Sequence, residues 1–503
     1  MRMPSLIIHG HFYQPPRENP WTGVVEAEPS AAPFHDWNER VHFECYRANA
    51  FVRTGAEGHD EQFINNYEHL SFNFGPTLLS WLGQHHPYTY ARIIEADQKS
   101  RLGHHGHGNA IAQAYGHAIL PLCNERDLRT QIRWGLADFR YRFGRDAEAL
   151  WLPETACNDR VMAAFVDEGL RYVILEPNQA AAPRDNKTID TSVAYRWSDP
   201  GDPRRSIAVF FYDGQTSRAI AFEKLLRSSQ ELVGAFVRSV GDRPMINIAT
   251  DGETYGHHFK FGDLCVAHAL TEEAPARGFE VTNYGEYLDR HPPVNEVEIN
   301  NGPDGEGASW SCVHGVGRWI RDCGCHTGGE TGWNQQWRTP LRAALDFLRD
   351  ENVAPFEATR NELFTFPWVA RDESIALILD SVASREEFLL AQAGRWLSAN
   401  DQTRALRYLE LQRMLLLMYT SCGWFFNDIS GIETIQILKY AARAIDLMKQ
   451  LGLPQVRERF LEILGEAKSN RAELGTGADI YRELVEPLNP NYQSSRNLEL
   501  TSA

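Results

Sequence analysis

The sequence predicts an α/β fold built on a parallel sheet, followed by an all-helical C-terminal region. Up to about residue 290, short apolar runs rich in β-branched residues alternate with longer amphipathic stretches. Strands that are covered by helices on both faces have this continuous apolar character, so the alternation indicates a barrel or a doubly wound sheet. From about residue 340 onward, apolar residues recur at intervals of three and four, which is typical of helices.

Eight stretches of the first region are predicted to be strands. They are "SLIIHGH", "HLSFNFG", "NAIAQAY", "EALWLPE", "RYVILEP", "SIAVFFYD", "MINIATDGE" and "FEVTNYGEYL". Amphipathic stretches such as "RDLRTQIRWGLADFRYRF" lie between several of them and are predicted to be helices. Polar residues of catalytic type fall where these strands end, which is the edge at which a parallel barrel builds its active site.

These patterns divide the chain into four parts. Residues 1–290 form the predicted sheet or barrel domain, and residues 291–340, rich in Gly, Trp and Cys, are predicted to be an ordered loop near the site. Residues 341–490 form the predicted helical domain, and residues 491–503 a frayed polar tail. One helical face is predicted from the spacing of Ile435, Leu438, Ala442, Ile445 and Met448.

Charge and composition narrow the class of partner. The chain of 503 residues carries 67 acidic and 50 basic side chains, a formal net charge of −17. This negative field repels phosphate backbones, so we expect no nucleic-acid partner. The 13 Trp, 18 Tyr and 25 Phe residues include rings that could stack on sugars, although most aromatic side chains fill cores.

The N-terminus and the cysteines bear on location and on metals. The first apolar run is too short for a secretory signal, and no stretch approaches 18 consecutive apolar residues, so we expect a cytoplasmic protein with no membrane association. The thiols of the eight cysteines are then expected to be reduced. A zinc cluster of Cys312, Cys323, Cys325 and His326 is conceivable, but the C-x-C spacing is not the usual one, and no metal or cofactor is expected.

The first candidate site is the strand end "HGHFYQPP". His9 and His11 alternate along a strand, so both side chains point to one face. Two histidines at this spacing suit metal ligation, hydrogen bonding at the floor of a polar pocket, or simply an exposed strand end. Residue types alone leave these three alternatives open.

Two further strand ends carry carboxylates. In "ALWLPETAC", Glu154 ends an apolar strand beside Trp151, where a carboxylate is costly unless it is paired or used. In "NIATDGETYGHH", Asp251 and Glu253 alternate along the strand end. One carboxylate could therefore face the pocket while the other holds the first in position. Carboxylates on two different strand ends suit chemistry in which one is the nucleophile and the other the general acid and base.

Two motifs are more ambiguous. His117 in "YGHAILPL" follows a predicted strand and could be structural or functional. In "SCGWFFND", Trp424 and two phenylalanines lie in a break between helices, where they could be core residues or a wall that stacks on a ligand.

Together, "HGHFYQPP", "YGHAILPL", "WLPETA", "TDGETYGHH" and "SCGWFFND" resemble, in order and spacing, the five conserved regions of the family-57 glycoside hydrolases. The resemblance extends from His9 to about Ile445. The stretches "SWSCVHGVGRWIRDCGC" and "GWFFNDISGIETIQILKYAARAIDL" further resemble a subgroup in which a helical domain of unknown function follows the catalytic barrel.

The resemblance implies an incomplete (β/α)7 barrel, a C-terminal helical domain, and retaining cleavage or transfer at α-glycosidic bonds of an α-glucan or oligosaccharide. It implies that Glu154 is the nucleophile and Asp251 the general acid/base. The loop at 300–335 is expected to be a lid that excludes water. The expected substrate-binding residues are His9, His11, Gln14, His117, Trp151, Glu253, His257, Trp310 and Trp424.

Two rival hypotheses remain. A metal-dependent deacetylase or mannosidase-like hydrolase on a related barrel would use His9, His11 and Asp251 as ligands. A non-catalytic glucan-binding protein would have the same barrel but would not catalyse a reaction. The sequence leaves open the linkage, the choice between hydrolysis and transfer, and the oligomeric state.

Overall fold

The computed structural model describes residues 3–54, 62–181, 188–382 and 384–490. The predicted polar tail, 491–503, lies outside the described residues. The chain forms two compact units, and the predicted domain boundaries stay a prediction. The first unit comprises residues 1–14, 27–115 and 138–311, and the second comprises residues 15–26, 116–137 and 312–503.

Each of the eight predicted stretches contains a strand, which confirms their positions. The strands are β1 (Ser5–Phe12), β2 (Val52–Thr54), β3 (Gln62–Ile64), β4 (Ser71–Phe74), β5 (Ala112–Gln113), β6 (Leu150–Trp151), β7 (Tyr172–Leu175), β8 (Ala194–Asp199), β9 (Asp202–Phe211), β10 (Met245–Asp251), β11 (Glu280–Val281) and β12 (Asn295–Glu296).

Strand β1 is the centre of a parallel sheet and is buried along its whole length. It pairs with β10 on one edge, and the other edge is shared by β11 near its start and β4 near its end. Burial on both faces explains why this strand is a continuous apolar run apart from His9 and His11.

The other predicted strands are also parallel. Strand β5 pairs with β6, and β7 pairs with β9. Single parallel bridges join Phe72 to Ala110 and Ala149 to Tyr172. Beyond β9, the Asp213 amide donates to the Asn247 carbonyl of β10 at 2.7 Å. Together, these links connect the strands in the order β10, β1, β4, β5, β6, β7 and β9.

An antiparallel pair departs from the parallel pattern. Strand β8 pairs antiparallel with β9, and the Asp199 side chain accepts a hydrogen bond from the Gly201 amide in the turn between them. The sequence analysis identified only the second half of this hairpin. The turn residues "DPGD" are typical of a hairpin connection, so a local signal was present.

The structure is a mixed α/β fold with a helical C-terminal region. The helices are α1 (Trp37–Val41), α2 (Arg47–Ala50), α3 (Pro76–His85), α4 (Pro87–Gly103), α5 (Glu125–Phe143), α6 (Asp159–Asp167), α7 (Gly214–Phe222), α8 (Ser229–Val240), α9 (Gly262–His268), α10 (Ala274–Ala276), α11 (Tyr284–Arg290), α12 (Arg338–Asp350), α13 (Val353–Glu357), α14 (Pro367–Glu373), α15 (Ile375–Ile378), α16 (Arg385–Ala393), α17 (Ala399–Leu417), α18 (Cys422–Phe425), α19 (Ile432–Gln450), α20 (Arg457–Leu464) and α21 (Gly477–Ile480). Among the described residues, none of these helices has the length and apolar character needed to cross a membrane.

The apolar face predicted for α19 is only part of the buried surface of that helix. Leu438 and Met448 are buried as expected, whereas Ile435 and Ile445 are half-buried. The buried face also includes Thr434, Gln436, Ile437, Tyr440, Ala441, Ala444 and Leu447. Spacing located the helix correctly, but the width of its buried face depends on packing against α17 and α18 within the same unit.

Candidate active site

Within the first compact unit, the ends of neighbouring parallel strands bring together several of the predicted site residues. His11 on β1 lies in register with Asp251 on β10 and with Asn73 on β4. Gln113 on β5 lies in register with Trp151 on β6. Because parallel strands end at the same edge, side chains that are distant in sequence meet there.

Glu154 lies in a strained turn just after β6. It is in the 3-10 turn Pro153–Thr155 with φ 58° and ψ 22°, and Thr155 also has a positive φ of 51°. The left-handed region costs a residue with a side chain about 1 kcal/mol. Such strain persists where the surroundings impose it, and it is common at functional sites.

Two donors hold the Glu154 carboxylate. Trp310 Nε1 donates to Oε2 at 3.0 Å, and Ser311 Oγ donates to the same oxygen at 2.6 Å. The Trp310 backbone amide also donates to the Glu154 carbonyl at 3.1 Å. Hydrogen bonds to a carboxylate favour its charged form, so this arrangement orients Glu154 and stabilises it as an anion.

Asp251 ends β10 and is exposed, whereas the six residues before it are buried. Although the residue as a whole is exposed, protein atoms surround its carboxyl group closely enough to desolvate it. Burial raises the pKa of Asp251 to about 7, and the negative charge of Glu154 raises it further in the same direction. A carboxyl group with this pKa is protonated for a substantial fraction of the time near neutral pH, as a general acid must be.

His9 and His11 lie at the floor of the site, both facing Trp151, as their alternation predicts. The His9 ring stacks on Trp151 with centroids 4.7 Å apart, and the His11 ring does so at 5.1 Å. Burial lowers the pKa of each histidine to about 3, so both rings are neutral. Neutral rings add no positive charge that would lower the pKa of a nearby acid.

A network centred on Asn73 sets the orientation of both rings. His9 Nδ1 is 2.9 Å from Ser71 Oγ, and His9 Nε2 donates to Asn73 Oδ1 at 3.1 Å. Asn73 Nδ2 donates to Gln113 Oε1 at 2.8 Å. His11 Nδ1 lies 2.9 Å from Asn73 Nδ2 and 3.2 Å from Asn73 Oδ1, so the Asn73 amide contacts both histidine rings.

Two buried polar groups at the neighbouring strand ends have no hydrogen-bond partner within the described part of the chain. They are Gln113 Nε2 and Trp151 Nε1, on side chains that are each 1% exposed. A buried donor without a partner costs free energy, so these groups are well suited to donate to a ligand.

Trp310 forms an aromatic wall beside the histidines. Its ring meets Trp151 edge to face at 5.3 Å, and it meets His11 at 6.5 Å and Tyr212 at 6.3 Å in the same way. The side chain is half-buried, so part of it remains available for contact with a ligand.

Five residues of this site were not predicted from the sequence: Ser71, Asn73, Gln113, Tyr212 and Ser311. Four of them lie on or just after predicted strands, in "HLSFNFG", "NAIAQAY" and "SIAVFFYD". The strand-end argument applied to Glu154 and Asp251 could have selected them. Ser311 lies in a loop, and no pattern in the sequence connects it to Glu154.

Glu253 is buried behind the site. Its Oε1 accepts a hydrogen bond from Tyr46 Oη at 2.6 Å and another from the Tyr13 amide at 2.9 Å. Burial raises the pKa of Glu253 to about 8. Gly252, between the two carboxylates, faces the Phe12 ring, and a Cβ there would lie 2.3 Å from Phe12 Cδ1. These contacts fix the backbone on either side of Asp251.

Replacing Glu253 by Gln is expected to leave most turnover intact, because the amide oxygen can accept both hydrogen bonds and the buried acid is largely neutral at pH 7. Replacing Glu253 by Ala leaves two buried donors unpaired and should lower the free energy of unfolding by about 2 to 4 kcal/mol. Urea unfolding and kcat, measured on both variants, test this. A Gln variant that folds normally but has lost catalysis would show that Glu253 takes part in the reaction.

His257 and Gln14 are engaged by other protein groups. His257 Nδ1 is paired with the Glu44 carboxylate, and its ring lies edge-on to Trp37 at 5.9 Å. Gln14 is half-buried and donates to the Tyr13 carbonyl at 3.2 Å. Contact of either side chain with a sugar stays a prediction.

His117 and Trp424 belong to the second compact unit. His117 Nδ1 lies 2.7 Å from Ser421 Oγ, and the Ser421 amide donates to the His117 carbonyl. Trp424 is only 1% exposed and its Nε1 donates to the Arg338 carbonyl at 3.4 Å. The Trp424 ring is therefore packed within this unit, and its role as an apolar platform for a sugar stays a prediction. A sugar contact at His117 stays a prediction.

Two models of known protein families match different parts of the chain. The family model described as glycosyl hydrolase family 57 matches residues 9–300, more than half of the chain. The chain belongs to this family. The resemblance drawn from the five motifs is therefore confirmed, and the protein is a family-57 enzyme. A second model, for a domain of unknown function (DUF3536), matches residues 333–494.

Solved structures show that the family-57 fold is retained at low sequence identity. An exo-type maltose-forming amylase from Pyrococcus sp. ST04 matches with a TM-score of 0.64 and 15% identity, over 92% of this chain and 82% of that chain. A branching enzyme from Thermococcus kodakaraensis matches with a TM-score of 0.55 and 15% identity, over 98% and 95%.

A 4-alpha-glucanotransferase from Thermococcus litoralis matches with a TM-score of 0.54 and 14% identity, over 90% of this chain and 60% of that chain. No curated protein matches the sequence.

Proposed function

We propose that this family-57 enzyme cleaves or transfers α-glucan chains by double displacement, with Glu154 as nucleophile and Asp251 as general acid and base. The observation that carries the proposal is the coupling of the two carboxyls: the charge of Glu154 helps raise the pKa of Asp251 to about 7. Two carboxyls whose surroundings favour opposite protonation states can divide the roles of acid and nucleophile.

In the first step, the ionised Glu154 attacks the anomeric carbon while Asp251 donates its proton to the leaving glycosidic oxygen. The hydrogen bonds from Trp310 and Ser311 to Oε2 orient the Glu154 carboxylate for this attack. In the second step, Asp251 accepts a proton from water or from a sugar hydroxyl, which displaces Glu154. The proton that Asp251 gives to the leaving group in the first step is replaced in the second step by one from water or from the acceptor hydroxyl.

The polar floor supports binding of sugar hydroxyls. The neutral His11 ring lies at this floor, and Gln113 and Trp151 each bring a buried donor without a partner among the described residues. Trp310 adds an apolar surface of the kind that packs on the face of a sugar ring. Neutral hydroxyls also suit a protein with a net charge of −17, which would repel an anionic substrate.

The choice of α-glucans rests on the family and on the fold neighbours. The names of these neighbours include a maltose-forming amylase, a 4-alpha-glucanotransferase and a branching enzyme. The parallel strands are proposed to form the incomplete (β/α)7 barrel, which the succession of pairings from β10 to β9 supports.

The hydrogen bonds of His9 disfavour the rival metal-dependent hydrolase. That hypothesis needs His9 as a ligand together with His11 and Asp251. Both ring nitrogens of His9 are engaged, with Ser71 and with Asn73, and His11 Nδ1 is engaged with Asn73. Ligation by His9 would require that one of these buried hydrogen bonds be broken.

Incubation with amylose and with maltooligosaccharides of defined length tests the proposed function. We expect new chain lengths or new linkages, and an α-configured product at the earliest times by proton NMR, since double displacement retains configuration. Shorter chains alone indicate hydrolysis, and longer or branched chains indicate transfer. A β-configured first product would contradict double displacement, and no change in any α-glucan would contradict the substrate class.

A further inference from the structure

The second compact unit contains a cluster of three cysteines and one histidine that the proposed reaction does not use. Its members are Cys312, His314, Cys323 and Cys325, from the sequence "CVHGVGRWIRDCGC". Four potential ligand atoms, one from each side chain, lie within 4.8 Å of one another. The histidine is His314 rather than His326, which the sequence analysis considered. His326 Nδ1 instead lies 2.9 Å from the Gly328 carbonyl.

Three of the separations between the ligand atoms match those of a tetrahedral zinc site. Cys312 Sγ is 3.8 Å from Cys323 Sγ and 3.8 Å from Cys325 Sγ, and Cys325 Sγ is 3.5 Å from His314 Nδ1. With Zn–S bonds of about 2.3 Å and a Zn–N bond of about 2.05 Å, tetrahedral geometry requires about 3.8 Å between sulfurs and about 3.5 Å between sulfur and nitrogen. A disulfide would need sulfurs about 2.05 Å apart.

The backbone is shaped to bring these ligands together. Gly324, between Cys323 and Cys325, has a φ of +81°, which allows both thiols of the C-x-C pair to turn to one side. Gly317 lets the intervening segment approach, since a Cβ there would lie 3.0 Å from Cys323 Cβ.

Two buried arginines near the cluster also favour a negatively charged metal site. Arg338 is 0% exposed and Arg318 is 6% exposed, and no ion pair joins either to a carboxylate within the described residues. Arg338 donates to the carbonyls of Trp424 and Cys325. A buried cation without a counter-charge is costly. Zinc with three thiolates and a neutral histidine carries a net charge of −1, which offsets a buried guanidinium beside it.

We propose that Cys312, His314, Cys323 and Cys325 bind one structural zinc ion. All four positions of the tetrahedron are taken by protein atoms, so the site has no open position for water or substrate. Its effect is to hold the segment from 312 to 325, which also bonds to the rest of its unit through the Cys325 carbonyl and through Trp319 Nε1 to the Ser421 carbonyl.

Metal analysis of the purified full-length chain, together with paired histidine variants, tests this. We expect about one zinc per chain by plasma mass spectrometry. His314→Ala and Cys323→Ser should lower the zinc content several-fold, whereas His326→Ala, at a neighbouring histidine outside the cluster, should not. Zinc lost in His326→Ala but retained in His314→Ala would overturn the ligand assignment.

A second measurement keeps the proposal testable if the ligand variants fold poorly. X-ray absorption at the zinc edge of the unaltered protein should show three sulfur neighbours at about 2.3 Å and one nitrogen neighbour at about 2.05 Å. Titration of the unaltered protein with a mercurial should release zinc in step with modification of thiols. Three free cluster thiols with less than about 0.1 zinc per chain, iron or copper in place of zinc, or a disulfide between Cys312 and Cys323 would each overturn it.

Discussion

Replacing Glu154 by Gln is expected to lower kcat on an α-glucan by at least about three orders of magnitude, because the amide cannot form the glycosyl–enzyme bond. The amide oxygen can still accept from Trp310 and Ser311, so the strained turn and the fold should be preserved. The measurement is the initial rate of glucan conversion, with the circular dichroism spectrum as a check on folding. The matched control is Glu223→Gln, at an exposed residue of the same unit, which should be unchanged.

Rescue by azide distinguishes the roles of Glu154 and Asp251. In Glu154→Ala, azide can occupy the vacated position and attack an α-glycosyl fluoride, which yields a β-glycosyl azide. In Asp251→Ala, azide attacks the glycosyl enzyme and yields the α-glycosyl azide. Azides of these opposite configurations would identify nucleophile and acid/base separately. Full activity of Glu154→Gln on unactivated glucan would show that another residue is the nucleophile.

Replacing Asp251 by Asn is expected to slow cleavage of an unactivated glucan by about 10² to 10⁴, the usual contribution of a general acid. A glycosyl fluoride needs no protonation of its leaving group, so formation of the glycosyl enzyme from it should be affected far less. The comparison of the two substrates is the measurement. Asp242→Asn, at an exposed position before β10, is the control and should behave like the unaltered enzyme.

The raised pKa of Asp251 also predicts how kcat/KM changes with pH. The acid form of Asp251 is the active one and its pKa is about 7, so kcat/KM should fall as the pH rises through about 7. This basic limb should disappear in Asp251→Asn. In Glu154→Gln the neighbouring charge is absent, so the pKa of Asp251 should be lower than in the unaltered enzyme, as infrared or NMR titration would show. A basic limb that persists in Asp251→Asn would contradict the assignment.

Local sequence patterns were sufficient to predict the positions of the strands and the family. Apolar runs located the eight expected strands, and the helical C-terminal region followed from spacing. The motifs at Glu154 and Asp251 could be selected because a carboxylate at the end of an apolar strand stands out in the sequence itself. These features depend on which residues are buried, and burial leaves a periodic pattern along the chain.

Tertiary structure alone decided the partners of those residues. Ser311 is 157 residues from Glu154, and Ser71 is 62 residues from His9, so no window of sequence contains both members of either pair. The same holds for Trp424, whose Nε1 donates to the carbonyl of Arg338, 86 residues away in sequence. His314, and not His326, completes the cysteine cluster because Gly324 and the surrounding loop set the direction of each side chain.

The sequence by itself therefore determined the family, the positions of eight of the strands and the residues that carry the proposed chemistry. Only the tertiary structure decided how they are held: the Asn73 network that orients both histidines, the two donors on Glu154, and the fourth member of the cysteine cluster. The physical reason is that periodicity records whether a residue faces the core, whereas a hydrogen bond or a metal ligand requires a distance and a direction that arise only when separate segments pack together.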